Sequence, residues 1–460
     1  MDYIDKFQQA LKIPTYFKSD EFSVSDHEKT LECFQEFLFN SFPHLSKTAE
    51  RYVLSPYSVA YRIAGSSDSS AAQPTKPPAN SSAAQPTKPP AALFLAHYDV
   101  VPAEKEKWKT DPFGAKIQDG YIYGRGSLDM KNTLIGIMQA AENLCVQGWK
   151  PKRDIWFVFG GDEERSGFLG AGKTAQWFKE RGQRFDFVLD EGTPVAEGQI
   201  KGIETPVALI SIEEKGYLSL KLSVDQEPGH ASRPPEVQAA AVLARALCKI
   251  VKKPFPFLLN ATVELFFKKA SNLMSGLKGF VMRHARALGP LFFKHAAVNP
   301  TMTSMLRTTA AITQLSGSAA DNVMPSEASA VINLRLLWPW TVEKAVAFIK
   351  KTIKDDRVKV NIYGNATNPV AASSGFMNHG WQELTDAMEE AWPGIPLFPF
   401  IMVATTDSRH YKDITDCILR FNPYKLNSEE LGKIHGHDER ISVENLHRGL
   451  SFYTSLLRLL

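Results

Sequence analysis

LFLAHYDVVPAEKEKW, residues 93–108, is the stretch that decides the architecture. Together with Ala91 and Ala92, the apolar run through Ala96 shows no polar alternation, so it reads as a strand buried on both faces, as in a parallel sheet covered by helices. It stops on His97, and Asp99 follows two residues later. An imidazole and a carboxylate at the end of such a strand lie where open α/β sheets bind their ligands.

The neighbouring sequence repeats the pattern. RDIWFVFGGDEE (153–164) and FDFVLDEG (185–192) are further unbroken apolar runs, the first ending on Asp162, Glu163 and Glu164 and the second on Asp190 and Glu191. Between the first two strands, TLIGIMQAAENLCVQG (133–148) places Leu134, Ile137, Met138, Ala141, Leu144 and Cys145 at helical spacing. Strand–helix–strand order implies an α/β fold with a mostly parallel sheet and helices on its faces. GRGSLDMKN (124–132) sets Asp129 just before that helix. A lone Glu-Glu pair is ordinarily a solvated loop, and a lone strand-end His is ordinarily structural. Here three strand ends and a helix start carry a histidine and several carboxylates to one rim. Converging carboxylates repel one another unless a cation is present, and a divalent metal is the simplest one.

Composition excludes several classes. The 460 residues are 44% hydrophobic and 22% charged, which suffices for a large core. Basic and acidic residues number 53 and 50, so no nucleic-acid partner is expected, and Lys350, Lys351 and Lys354 read as a solvated helix face. No segment reads as a membrane span: PFPFLLNATVELFF (254–267) and ALGPLFF (287–293) are short and broken by proline or charge. The first residues, MDYIDKFQQALKIPTYF, have Ile4, Phe7 and Leu11 on one helical face and lack the pattern of a signal peptide. A cytoplasmic protein is therefore expected, secreted or vacuolar if the N-terminus is incomplete. Four scattered cysteines, Cys33, Cys145, Cys248 and Cys417, make neither a disulfide framework nor a structural zinc knuckle.

Residues 69–80, SSAAQPTKPPAN, recur almost unchanged as 81–92. Such a repeat buries no face, so residues 66–92 are expected to form an extended loop splitting a hairpin between YSVAYRIAG (57–65) and AALFLAHYD (91–99).

The middle of the chain follows another rule. GYLSLKLSVD (216–225), RTTAAITQLSG (307–317), ASAVINLRLL (328–337) and VKVNIYG (358–364) read as strands, with helices at EVQAAAVLARALCKIV (236–251) and TVEKAVAFIKKTIK (341–354). This βαββαβ order predicts a ferredoxin-like α+β unit over about residues 216–366, inserted between a first part (1–215) and a second part (367–460) of the α/β domain. A Phe-, Leu- and Met-rich segment, residues 255–300, is far longer than a ferredoxin-like connection needs. It suits either a helical pair packed on that unit or at a dimer interface, or a lipophilic wall.

HYDVVP (97–102), DPFGAKIQDGYIYGRGSLDMKN (111–132), GGDEERSG (160–167), LDEG (189–192), TTDSRHY (405–411) and HGHDERIS (435–442) together resemble the aminoacylase/carboxypeptidase S family of two-zinc metallopeptidases. Its carboxypeptidase S and N-fatty-acyl-amino-acid synthase/hydrolase branches are the most similar in wording. The resemblance implies two Zn²⁺ per subunit, other divalent metals also being compatible. Asp129 would bridge them, with His97 and Asp190 at one ion and Glu164 and His435 at the other; the choice between Asp190 and Glu191 stays open. Asp99 would orient the His97 imidazole, and Glu163 would be the general base. Where the family has glycine after its Asp-x-Lys, this chain has Asn132, placed to cap the helix.

The resemblance also makes the inserted unit a lid. His230 in GHASRPP (229–235) and Asn322 in AADNVMP (319–325) become candidates for contacting the scissile carbonyl, and Arg409 for binding a substrate carboxylate. In relatives the histidine often comes from a partner subunit, which points to a homodimer through the lid. The implied reaction is hydrolysis, or in reverse formation, of the amide bond of an N-acyl amino acid with a free α-carboxylate, N-fatty-acyl amino acids included. A dipeptidase acting on short peptides would share every catalytic residue. A non-catalytic amino-acid-binding protein would have lost Glu163 or a ligand, and none is lost.

Overall fold

A computed structural model describes residues 1–17, 24–66, 90–200, 202–373 and 375–460. The chain divides into two compact units, Met1–Ser211 with Ser373–Phe398 and Thr406–Leu460, and Ile212–Ala372 with Pro399–Thr405. The first boundary thus falls four residues before the one read from sequence (211 rather than 215), the second six after it (372 rather than 366), and residues 399–405 return to the second unit.

The main sheet comprises β1 (Glu50–Ser55), β2 (Ser58–Ile63), β3 (Ala91–His97), β6 (Ile155–Gly160), β7 (Phe185–Ala196), β8 (Val207–Glu214), β15 (Leu397–Met402) and β16 (Ile418–Leu426), in the order β1-β2-β6-β3-β7-β16-β8-β15. Its centre, β6, β3, β7 and β16, is parallel. β1, β2 and β8 pair antiparallel at its sides. Every residue of β3 and β6 is buried, as their unbroken apolar sequences require.

The expected hairpin between β2 and β3 does not form. β6 lies between them, antiparallel to β2 and parallel to β3. β2 instead makes its hairpin with β1 across Pro56 and Tyr57. Two residues assigned to the repeat, Ala91 and Ala92, already belong to β3, paired with Phe185 and Ile155. The rest of the predicted 66–92 loop, apart from Ser66 and Pro90, lies outside the described residues.

Helix α1 (Tyr3–Lys12) starts in a capping box between Asp2 and Asp5. The following helices are α2 (Val24–Ser41), α3 (Pro43–Thr48), α4 (Lys131–Val146) and α5 (Ala171–Glu180). α4 is the helix read between the first two strands; it packs against α1, α3 and α14 (Val443–Leu459), and α14 also packs on α12 (Trp381–Ala391). Asn132 does not cap α4. Met130 occupies that position, and Asn132 is fully buried inside the first turn, its side-chain amide without a partner among the described residues. A small sheet of β4 (Lys116–Gln118), β5 (Tyr121–Tyr123) and β17 (Arg440–Ser442) joins the loop before Asp129 to the loop after His435.

In the second unit, β9 (Gly216–Asp225), β11 (Thr309–Ser316), β13 (Glu327–Leu336) and β14 (Lys359–Thr367) form an antiparallel sheet in the order β11-β13-β9-β14, the ferredoxin-like arrangement. Alternation sends Leu218, Leu220 and Leu222 of β9 and Ile332 and Leu334 of β13 to one face. They pack there with Val242 and Leu243 of α6 (Ala239–Lys252) and with Ala345 and Ile349 of α11 (Val342–Ile353). The 255–300 insertion is not a helical pair. It holds α7 (Ala261–Ser271), α8 (Gly276–Arg283) and α9 (Ala285–Ala296), and α10 (Pro300–Leu306) begins at its end. Phe266, Phe267 and Phe292 are buried, whereas Leu277, Phe280 and Val298 are exposed. Among the described residues no helix is long and apolar enough to cross a membrane.

Candidate metal centre

Five segments of the first unit build one acidic cluster. His97 ends β3, Asp129 immediately precedes Met130 and α4, and Glu163 and Glu164 begin a short 3₁₀ turn just after β6. Glu191 lies within β7, which does not end there as the sequence suggested but runs on to Ala196. Its register against β16 breaks between Asp190 and Thr193, so Glu191 and Gly192 bulge from the ladder, a device that re-aims a side chain. Only glycine fits the bulge, because a Cβ at Gly192 would lie 2.2 Å from the Arg420 backbone. His435, with φ 60° in the left-handed region, enters from the loop before β17.

The geometry centres on Asp129. Its Oδ1 lies 3.0 Å from His97 Nε2 and its Oδ2 3.0 Å from His435 Nε2. His435 Nε2 is also 3.1 Å from Glu164 Oε1, and His97 Nε2 is 3.6 Å from Glu191 Oε1. Ligand-type atoms of His97, Asp129 and Glu164 lie within 4.8 Å of one another, as do those of His97, Glu163 and Glu191. One carboxylate thus offers an oxygen toward each of two histidines, each with a further carboxylate nearby. This nitrogen and oxygen donor set fits divalent cations such as zinc.

Asp190, the ligand candidate from sequence, is engaged elsewhere. Its Oδ1 accepts the Glu191 N–H at 2.8 Å and its Oδ2 the Ser408 N–H at 2.8 Å. Asp99 meets His97 through both its backbone and its side chain. The His97 Nδ1 partner at 3.0 Å is the Asp99 backbone carbonyl, with the carboxylate Oδ1 farther off at 3.4 Å. The Asp99 carboxylate also accepts the N–H groups of Glu163 and Glu164, at 3.2 and 3.0 Å, and so anchors the loop that carries both.

Electrostatics reflect the crowding. Burial pushes the carboxyls of Glu163, Glu164 and Glu191 up, and repulsion from neighbouring carboxylates, Asp129 in every case, adds to it. Asp129 goes the other way: burial opposes its ionisation, but hydrogen bonds from His435 and His97 outweigh that and hold it well below the usual carboxylate range. Hydrogen bonds to Asp129 and Glu164 raise His435 to about 10.

Two residues to which the sequence reading gave no role hold the ligand loops. Arg125 Nη1 donates to Glu439 Oε2 at 2.6 Å, in a pair with side chains 3% and 0% exposed. Glu439 Oε1 accepts the N–H groups of Leu128, at 2.7 Å, and Asp129, at 3.3 Å. Arg125 Nη2 donates to the His435 carbonyl at 3.2 Å. One buried ion pair therefore ties the Asp129 loop to the His435 loop. Both residues stand inside the GRG and HGHDER motifs, which was the available signal.

Arg409 lies in the 3₁₀ helix Asp407–Tyr411, only 7% exposed. Its Nη2 donates to the Ser166 carbonyl at 2.7 Å, while Nε and Nη1 have no partner among the described residues. Ser166 follows two residues after Glu164, so Arg409 is joined to the loop bearing the candidate base. In the second unit, His230 and Asn322 come together: β10 (Gly229–His230) pairs with β12 (Val323–Met324), and the Ala231 N–H donates to the Asn322 carbonyl at 3.0 Å. Both are exposed.

Comparison with known proteins agrees with this chemistry. Residues 93–459 match the profile of peptidase family M20/M25/M40. The chain is similar to the N-fatty-acyl-amino acid synthase/hydrolase PM20D1 of Xenopus tropicalis, 33% identical over 99% of this chain and 85% of that protein. It is equally similar to the probable carboxypeptidase S-like 2 of Dictyostelium discoideum, 33% identical over 99% of this chain and 87% of that protein. Among solved structures, the fold matches an M20 family metallo-carboxypeptidase, Sso-CP2, from Sulfolobus solfataricus (TM-score 0.71, 18% identity, covering 100% of this chain and 99% of that one). It also matches human carnosine dipeptidase 1 (TM-score 0.63, 14% identity, 100% and 96%).

Proposed function

Because the chain belongs to peptidase family M20/M25/M40, whose members are metallohydrolases of amide bonds, we propose that it cleaves N-acyl amino acids bearing a free α-carboxylate, using two zinc ions. Mass action would let it form the same bond when acyl donor and amino acid accumulate. The observation that carries the reading is the division of Asp129 between His97 and His435. His97, Asp129 and Glu191 would hold one ion, and His435, Asp129 and Glu164 the other, with Glu191 in the place the sequence reading gave to Asp190. Bound there, the ions would polarise the scissile carbonyl and acidify the attacking water.

The chain's own residues do the rest. Glu163 is held by its backbone N–H to Asp99, and burial pushes its carboxyl up, which strengthens it as a base. It takes a proton from water and returns it to the leaving amine. Arg409 receives the substrate carboxylate on the guanidinium edge that Ser166 leaves free. His230 and Asn322 support the developing negative charge on the scissile carbonyl oxygen. A homodimer through the second unit would supply His230 from one subunit to the other.

The similarity to N-fatty-acyl-amino acid synthase/hydrolases supports a fatty acyl group. The second unit's insertion contains a cleft of about 460 Å³ with a mixed lining, Leu259, Phe267, Met282 and Ala285 beside Glu264, Lys268, Asn272, Arg283 and Arg286. Each buried methylene contributes about 0.8 kcal/mol. A panel of N-acyl-leucines from acetyl to oleoyl, with matched dipeptides, tests the reading on zinc-loaded protein. We expect kcat/KM to rise with acyl length. A flat series with faster dipeptide cleavage would replace it by a dipeptidase.

A further inference from the structure

The loop after the candidate base presents two large apolar side chains to solvent. Phe168 and Leu169 are 45% and 42% exposed. The backbone beneath them is tightly held. The Asp162 carboxylate accepts the N–H groups of Leu169 and Gly170 at 2.7 and 2.8 Å, and the Asp162 carbonyl accepts that of Gly167 at 2.8 Å. The exposure is thus imposed by a fixed loop. Exposed apolar residues are common and carry no meaning singly. The surroundings of Phe168 give this one its meaning.

The Phe168 ring stands edge-to-face on His410, with centroids 5.3 Å apart. His410 Nε2 donates to the Ser166 carbonyl at 2.9 Å, the same oxygen that takes Arg409 Nη2 at 2.7 Å. Guanidinium and imidazole therefore share one acceptor on the loop that begins with Glu163, and the phenyl ring packs on the imidazole. A carboxylate seated on Arg409 fixes the α-carbon beside it. The imidazole and the phenyl ring are the next groups along this chain of contacts.

We propose that Phe168 is a specificity-determining residue for the amino-acid half of the substrate, a shelf on which an apolar side chain, above all an aromatic one, packs. His410 backs the shelf and stays in place through its bond to Ser166. The Phe168 ring offers its free face to aliphatic and aromatic groups alike, with an added gain for offset or edge-on aromatic pairs. The inference rests on Arg409 receiving the α-carboxylate, as proposed above.

Steady-state kinetics with one fixed acyl group on glycine, serine, leucine and phenylalanine test it. In Phe168→Ala, the ratio of kcat/KM for phenylalanine over glycine should fall about tenfold or more, mainly through KM, the usual scale for a lost apolar contact. Phe168→Leu should keep the leucine-over-glycine ratio and lower phenylalanine relative to leucine, which also guards against a folding defect in the alanine variant. An unchanged ratio, or an equal loss on all four amino acids, overturns the proposal. Failure of the N-acyl reading itself looks different: the wild type would then cleave only dipeptides. The same four residues at the dipeptide C-terminus would then give the Phe168→Ala ratio, with the same outcome required. A wild type that cleaves neither series removes both proposals.

Discussion

Glu439→Gln should loosen the candidate metal centre without touching a ligand. The substitution removes the negative charge facing Arg125 at 2.6 Å, in a pair that is 3% and 0% exposed. It also sets an amide where one carboxylate now accepts Arg125 and the N–H groups of Leu128 and Asp129. Leaving one member of a buried pair uncompensated costs about 3–5 kcal/mol. The lower figure corresponds to roughly a hundredfold increase in local opening. Loss of a partner that orients a ligand weakens metal binding by about 10–100-fold. Hydrogen exchange at Leu128 and Asp129 reads the first effect, and zinc titration against a competing chelator reads the second. The double variant Arg125→Met with Glu439→Leu, which fills the same space without charge, should recover much of the local stability but not the affinity, since Asp129 N–H and the His435 carbonyl still lack their partners. Unchanged exchange and unchanged zinc affinity in Glu439→Gln would refute the reasoning.

Glu163→Gln should keep both metals and lose about 10²–10⁴-fold in kcat, the share of a general base; loss of metal measured by elemental analysis would make Glu163 a ligand instead. His410 gives a pH effect of definite sign. Burial and the neighbouring Arg409 charge lower it from 6.5 to about 4, so the folded state resists protonation. Its contribution to stability is present above about pH 6.5 and is lost as pH falls through about 4. His410→Gln should therefore flatten the acid limb of urea unfolding between those values, and an identical acid limb would contradict it.

Strand-end chemistry was legible because an apolar run that stops on a polar residue says both how deep the strand lies and which rim its end reaches. His97, Asp129, Glu163, Glu164 and His435 all reach that rim. The choice between Asp190 and Glu191 was not legible, since it depends on a bulge set by β16 and on the Ser408 N–H, which takes an Asp190 oxygen from 218 residues away. The Arg125–Glu439 pair spans 314 residues and has no local pattern. The false hairpin has the same origin. Sequence neighbours β2 and β3 looked like partners, but β6, arriving after α4, inserts between them. Its place in the chain suggests Asn132 as a cap, yet the helix starts two residues earlier than a cap there would need. Local pattern fixes the element, and long-range pairing decides where a side chain is aimed.

The account depends most on Asp129 serving two cations at once. Metal content per chain, measured by mass spectrometry on zinc-loaded wild type and on Asp129→Ala, His97→Ala and His435→Ala, tests this directly. Two zincs in the wild type, about one in each histidine variant and nearly none in Asp129→Ala is the predicted result. Two zincs retained by Asp129→Ala would contradict it.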